Sequence, residues 1–223
     1  MQNYLKEYAS RRNKVGKALK GAVGLVFAGD QDLSVESPWK PHAHFFYLTG
    51  VTNEPSAILL LDPSNPVASK REMLFLAPRD PELEQWDGLR MPLSSALRNE
   101  IGMASVVRTT MLARVLSDVA SRCTVFATLM PNASIGESVA LDHAMWKKLI
   151  KRTAGCAVID KTDVVPALRS VKSVSEIALI QEAVNITAHG FAAALSFIQA
   201  GVNEFQVQST LEHNYAMAGG RGA

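Results

Sequence analysis

Apolar positions follow two rhythms along this chain. Tyr4, Leu5, Tyr8, Val15, Ala18 and Leu19 recur at loose helical spacing and predict an opening helix that ends at Gly21. Short continuous apolar runs follow at residues 22–28, 45–48, 57–61 and 72–77, bounded by turn residues such as Thr49-Gly50, Asp62-Pro63 and Pro78-Arg79-Asp80. Runs of that length with no polar face predict buried central strands. Residues 92–101 before Gly102, 111–121 and 141–151 predict helices, and 105–109, 124–129 and 157–159 predict strands. Strands that alternate with helices in this way predict the α/β class, a mixed or parallel sheet covered on both faces.

From Ser173 the pattern changes. Ile177, Ile180, Val184, Ala188, Phe191, Leu195 and Ile198 form a three-four stripe, predicting one long helix over residues 174–198. Ser173 with Glu176 makes a capping box at its start, and Gly201 stops it. Asn203 with Gln206 repeats the device for a second helix, with Val207, Leu211, Tyr215 and Ala218 facing inward and Gly219-Gly220 at its end. A boundary therefore falls near 166–173, between a first domain over 1–165 and a second over 174–223. Two helices of this kind bury too little surface to make a complete domain. The second domain is expected to be unfinished, with something packing on its apolar stripes.

Composition narrows the function classes. With 23 Lys and Arg against 21 Asp and Glu in 223 residues, and no basic run, there is no electrostatic footprint for nucleic acid. Cys123 and Cys156 form neither a disulfide framework nor a CxxC pair, and read as thiols of a reducing compartment. The polar N-terminus has no signal-peptide core, and no apolar run approaches the length of a bilayer span, so the expectation is a cytoplasmic protein with no membrane partner.

Candidate chemistry is sparse. His42 and His44 would share one face of a strand and could share an ion, but no carboxylate or cysteine at ligand spacing completes a shell. His143, His189 and His213 stand alone on helices, there is no nucleophile elbow, and Gly219-Gly220-Arg221-Gly222 lacks the lysine and strand-turn-helix context of a phosphate loop. No catalytic or metal-ligating residue is assigned. The stretch from Arg79 to Arg90 is more informative, because it sets Trp86 among acidic residues before Gly88. The residues alone leave Trp86 as either a wall for a peptide or a plug at the sheet end.

Several segments together resemble one family. Phe45-Phe46-Tyr47-Leu48-Thr49-Gly50 with the strand after it looks like the YLTG block of Xaa-Pro aminopeptidases, also called aminopeptidase P. The Arg79–Glu82 and Trp86-Asp87-Gly88 segments resemble that family's acidic block and tryptophan-glycine motif. Leu168-Arg169 to Lys172-Ser173 and Glu176-Ile177 resemble the interdomain signature of the creatinase, prolidase and aminopeptidase P superfamily, and Gly201–Glu204 and Gly219–Arg221 are similar to the start of its second domain. The resemblance implies a creatinase-like N-terminal domain followed by the helical start of a pita-bread metallopeptidase domain. It implies a parent that removes the residue before proline, from a peptide with proline at its second position, using two divalent ions, typically manganese. The ligands of those ions are expected beyond the segment matched here, so this chain is expected to hold no cofactor and to be inactive alone. Trp86, and more weakly Arg90, match the substrate entrance, and the family resemblance implies a homo-oligomer. A prolidase part and a non-catalytic binding module of the same superfamily remain the alternatives.

Overall fold

The computed structural model describes residues 2–31, 39–87, 90 and 92–220. The chain forms two compact units, Met1–Arg169 and Ser170–Ala223. In the first, chain order is α1 (Gln2–Ala18), β1 (Val23–Phe27), α2 (Ala43–Thr49), β2 (Ile58–Leu61), β3 (Glu72–Leu76), α3 (Pro81–Asp87), α4 (Ser95–Ile101), β4 (Ser105–Arg108), α5 (Leu112–Arg122), β5 (Val125–Thr128), α6 (Leu141–Ile150), β6 (Ala157–Asp160) and α7 (Val164–Ser170). The six strands make one mixed sheet in the order β4-β3-β2-β1-β5-β6. β2 runs antiparallel to both β1 and β3, whereas the β1–β5, β3–β4 and β5–β6 pairs are parallel.

The continuous apolar runs explain this order. Every residue of Val23–Phe27 and Ile58–Leu61 is buried, as a strand covered on both faces requires. The edge strand Ala157–Asp160, with its exposed ends, is the least buried. On one face, Trp146 of α6 is fully buried, stacks on Phe126 at 4.7 Å and donates its indole N–H to the Ala127 carbonyl at 2.9 Å. That pairing satisfies the ring's polar atom inside the core.

One expected strand is a helix. Residues 45–48, read as a buried strand, lie in α2. A short run with no polar face fits either period, and here capping and tertiary contacts decide it. The His42 side chain accepts from the His44 amide at the start, and Gly50 closes the end in the left-handed region at φ 71°, donating to the Phe46 carbonyl. A side chain at Gly50 would collide with the Tyr8 ring.

The carbonyls that this helix end leaves over are taken by two arginines of α1. Arg11 donates to the Tyr47 carbonyl at 3.0 Å and lies over the Tyr47 ring, 4.1 Å from its centroid. Arg12, 1% exposed, donates to Leu48 O at 3.0 Å, to Gly102 O at 3.2 Å and to the Glu72 carboxylate at 2.6 Å. It thereby joins α1, the end of α2, the start of β3 and the end of α4. The positive charge also sits at the negative end of the α2 dipole.

Two short helices were not expected. α3 starts on Asp80-Pro81-Glu82, and the Asp80 side chain accepts from the Glu82 amide at 3.0 Å. α7 runs through residues 166–170 of the expected connecting segment. The second unit holds α8 (Val174–Phe197) and α9 (Glu204–Met217), and both capping boxes form as read, Ser173 with Glu176 and Asn203 with Gln206. Within this hairpin α9 meets α8 on the Ile186–Gly190–Ala194 side, where Tyr215 lies so close to Gly190 that a Cβ there would clash. Val207, Leu211 and Tyr215 are half-buried while Ala218 is exposed.

Replacing Arg12 with alanine strands a carboxylate and two carbonyls that are otherwise paired. Urea unfolding of Arg12→Ala is expected to show a loss of about 2 kcal/mol or more, because the Leu48 and Gly102 carbonyls lose their donor and the part-exposed Glu72 carboxylate loses its partner. A loss below about 1 kcal/mol would mean that water replaces the guanidinium at no great penalty.

Candidate functional site

One cluster of polar groups in the first unit lies beyond the C-terminal ends of β3 and β4. Arg79, just after β3, forms a two-point pair with Glu84 of α3 at 3.1 and 3.0 Å. This hydrogen bonding is the main reason the Glu84 carboxyl is held below its usual range, and the Arg90 backbone also bonds to Glu84. Both ends of the Arg79–Arg90 segment are thus tied to one carboxylate in the middle of it. Arg108, the last residue of β4, donates to the Ala77 carbonyl at 2.9 Å. Glu54, 6% exposed in the turn before β2, is pushed up by burial, against the opposing pull of Arg90 and Arg108.

Arg90 is half-buried, and its Nη1 atom is buried with no hydrogen-bond partner among the described residues. A guanidinium N–H in that state lacks an acceptor that folding normally supplies. Trp86 lies on α3, between Glu84 and Arg90 in sequence, and its side chain lies outside the described residues, as does Gly88. The two residues expected at an entrance are therefore carried by one segment braced on Glu84. Sequence reading missed Glu84 as the brace and Glu54 as the buried carboxyl facing Arg90 and Arg108. The two-point Arg79–Glu84 pair had a local signal, an arginine five residues before a glutamate on a Pro-started helix, and Glu54 had none.

His42 and His44 do not share a strand face. His42 caps α2, and its Nδ1 accepts from the His44 amide at 3.2 Å. The two rings meet edge to face at 4.9 Å. His44 is 3% exposed, and its Nδ1 has no partner among the described residues. Burial first, then His42 and Arg169, push its pKa down to about 4, against a hydrogen bond to the Leu129 backbone. His42 is lowered for the same first reason, with Arg169 adding to it and Asp142 opposing. Asp142, fully buried at the start of α6, accepts from the Leu129 and Met130 amides at 2.6 and 2.9 Å. The end of β5 is thus held between a histidine of α2 and a carboxylate of α6. Among the described residues, no group of three or more His, Cys, Asp or Glu side chains could hold a metal ion. The residues present do not fit the two-ion centre that the resemblance implies for the parent.

The family model described as "Aminopeptidase P, N-terminal domain" matches residues 8–127. The chain belongs to the aminopeptidase P family through this N-terminal domain. The Xaa-Pro aminopeptidase of Haemophilus influenzae is 26% identical over 215 residues, 94% of this chain and 47% of its own length. That of Escherichia coli is 25% identical over 222 residues, 96% of this chain and 50% of its own. The chain spans about half the length of these curated relatives. Solved structures agree in fold: Pseudomonas aeruginosa aminopeptidase PepP superposes with a TM-score of 0.79 at 22% identity over 96% of this chain and 49% of its own. Escherichia coli aminopeptidase P with the inhibitor Pro-Leu gives 0.79 at 24% identity over 96% of this chain and 50% of that one. The mixed six-stranded sheet flanked by helices is the creatinase-like α/β arrangement expected of an aminopeptidase P N-terminal domain. No helix among the described residues is long and apolar enough to cross a membrane.

The histidine corner gives a pH prediction. Folding lowers the His44 pKa, so the unfolded chain takes up its proton first, and the His44 contribution is complete above about pH 6.5 and falls away toward pH 4. Asp142 and Glu54, both pushed up, act with the opposite sign, favouring the fold at lower pH. Melts from pH 7 to 4 are expected to show a stability loss that His44→Gln flattens, and NMR titration should keep the ring neutral down to about pH 4. A ring that titrates near 6.5 contradicts this placement.

Proposed function

We propose that this aminopeptidase P domain serves as the entrance half of an Xaa-Pro aminopeptidase, a hydrolase that removes the residue before proline. Its contribution is to hold Trp86 and Arg90 at the mouth through which a peptide with proline at its second position passes, and to make contacts between subunits of a homo-oligomer. The observation that carries this reading is the buried, unpartnered Nη1 of Arg90 on a segment braced at both ends by Glu84. A guanidinium with a spare N–H suits a peptide carbonyl or carboxylate, and Trp86, four residues earlier in the same segment, would supply an apolar wall.

Two divalent ions, manganese in this reading, would be held by residues of the remainder of such a protein, where they would supply the activation of water that hydrolysis needs. The Xaa-Pro aminopeptidase relatives and the Pro-Leu inhibitor of the Escherichia coli structure support a peptide substrate. A protein of the cytoplasm fits the same reading. By itself the chain is expected to be inactive, because its role is to shape access and not to perform the hydrolysis.

A fusion tests this. This chain joined through Gly220 to the C-terminal half of the Escherichia coli Xaa-Pro aminopeptidase is expected to cleave an Xaa-Pro peptide. In that fusion Arg90→Ala and Trp86→Ala should each raise KM with a smaller change in kcat, lowering kcat/KM about tenfold, the scale of one lost binding contact. Trp86→Ala in the chain alone should change stability by less than about 1 kcal/mol, against roughly 3–5 kcal/mol for a core tryptophan. An active fusion that neither substitution affects, or a core-sized loss at Trp86, removes the entrance role.

A further inference from the structure

The first unit has an open cavity of about 460 Å³ beside the turn between α1 and β1 and the start of β5. Its size lies in the range of small-molecule sites. The apolar part of the wall is Leu19, Ala22, Val125 and Ile159, the last two from the paired strands β5 and β6. The polar part comes from Lys20, Arg122 and Lys161, with Ser64, Cys123 and Thr124. Among the described residues, no Asp or Glu lines it.

Two of the three cations stand without a carboxylate partner. Among the described residues Lys20 and Lys161 make no ion pair. Asp160, next to Lys161 in the chain, accepts from the Thr162 amide and hydroxyl at 2.9 and 2.7 Å instead. Arg122 is the anchored cation. Its Nη2 donates to the fully buried Asp62 carboxylate at 2.8 Å, and its Nε lies 3.5 Å from Asp118. These contacts engage Nη2 and Nε, so a guanidinium held in place keeps Nη1 for another acceptor.

The backbone adds a second line of argument. Lys20 occupies the left-handed region at φ 50°, just ahead of Gly21 at φ 93°. A helix end of this shape favours glycine, so a lysine held there is strained, and strain of this kind points to a use for the side chain. Ser64 Oγ donates to the Gly21 carbonyl at 3.3 Å and ties the turn to the segment after β2.

We infer that this cavity is a binding site for a phosphate monoester, a doubly charged head on a small apolar body. Two lysines without carboxylate partners match the two charges, and the anchored guanidinium directs hydrogen bonds at the phosphate oxygens. A carboxylate head would leave one lysine unmatched. Leu19, Val125 and Ile159 receive the body, which separates this class of ligand from free phosphate. The site uses neither Trp86 nor Arg90 and stands independently of the entrance reading.

Titration of the full chain with phenyl phosphate tests this, with inorganic phosphate, benzoate and phenol as comparisons and backbone amide shifts as the readout. The expected result is saturable shifts at Gly21, Ala22, Thr124 and Val125, with phenyl phosphate binding about tenfold tighter than each of the other three. Lys20→Gly and Lys161→Gln should each weaken it about tenfold, while Lys20→Gly keeps or raises the melting temperature because glycine relieves the left-handed turn. Phenyl phosphate should also slow maleimide labelling of Cys123 in the wall and leave Cys156, which lies outside it, unchanged. Benzoate that binds as tightly assigns the cavity to a single charge, and inorganic phosphate that binds as tightly removes the apolar body. Either result overturns the inference, as do binding that both substitutions leave unchanged, shifts confined to other parts of the chain, and no saturable shift up to the solubility limit of phenyl phosphate.

Discussion

Two adjacent arginines hold this domain together at its least self-sufficient point. A seven-residue helix is too short to be stable alone, because nucleation consumes most of what its few hydrogen bonds return. α2 persists because Arg11 and Arg12 take the Tyr47 and Leu48 carbonyls of its last turn. The same helix then positions what lies around it. Its first residues carry His44 against the end of β5, and its Tyr47 hydroxyl donates to the Leu168 carbonyl at 3.1 Å, anchoring α7. Losing the arginine grip would therefore loosen the sheet end on several sides at once.

The Arg79–Arg90 cluster at one end of the sheet follows from strand direction. β1, β3, β4, β5 and β6 all finish at one end, and their connections to helices leave from there. Ligand-handling residues in open α/β sheets gather outside such ends, where loops are free to vary without disturbing the sheet. Here the loops deliver Glu54, Arg79, Glu84, Arg90 and Arg108. The Arg79–Glu84 pair is half open to solvent on the arginine side, so it adds geometry more than stability. That division suits a segment whose role is to hold side chains in place for a partner molecule.

Much of the fold was legible in the sequence, for a physical reason. The central strands are unbroken apolar runs between turn residues, and the capping boxes at Ser173 and Asn203 are local chemistry that needs no tertiary information. α2 was not legible, because its decisive contacts come from arginines 36 residues earlier in the chain. α3 carried its signal in Asp80-Pro81-Glu82, within a stretch that the acidic residues around Trp86 made stand out for chemistry and not for helix. On α8 the period shows which face is apolar, but periodicity carries no information about what covers it. Trp86 and Arg90 entered through resemblance to aminopeptidase P. Their supports, Glu84 and Glu54, became visible only when the chain ends of β2, β3 and β4 were brought together.

The dependence of α2 on the two arginines is open to direct measurement by native-state amide hydrogen exchange. α2 and α3 are both seven residues long, and among the described residues it is α2 whose last carbonyls are held by buried guanidinium groups. The amides of Phe46 to Gly50 are expected to exchange with an opening free energy close to that of β1 and β2, while those of α3 exchange orders of magnitude faster. Exchange of α2 as fast as α3 would contradict the account, because it would show that the arginine grip does not couple the helix to the sheet.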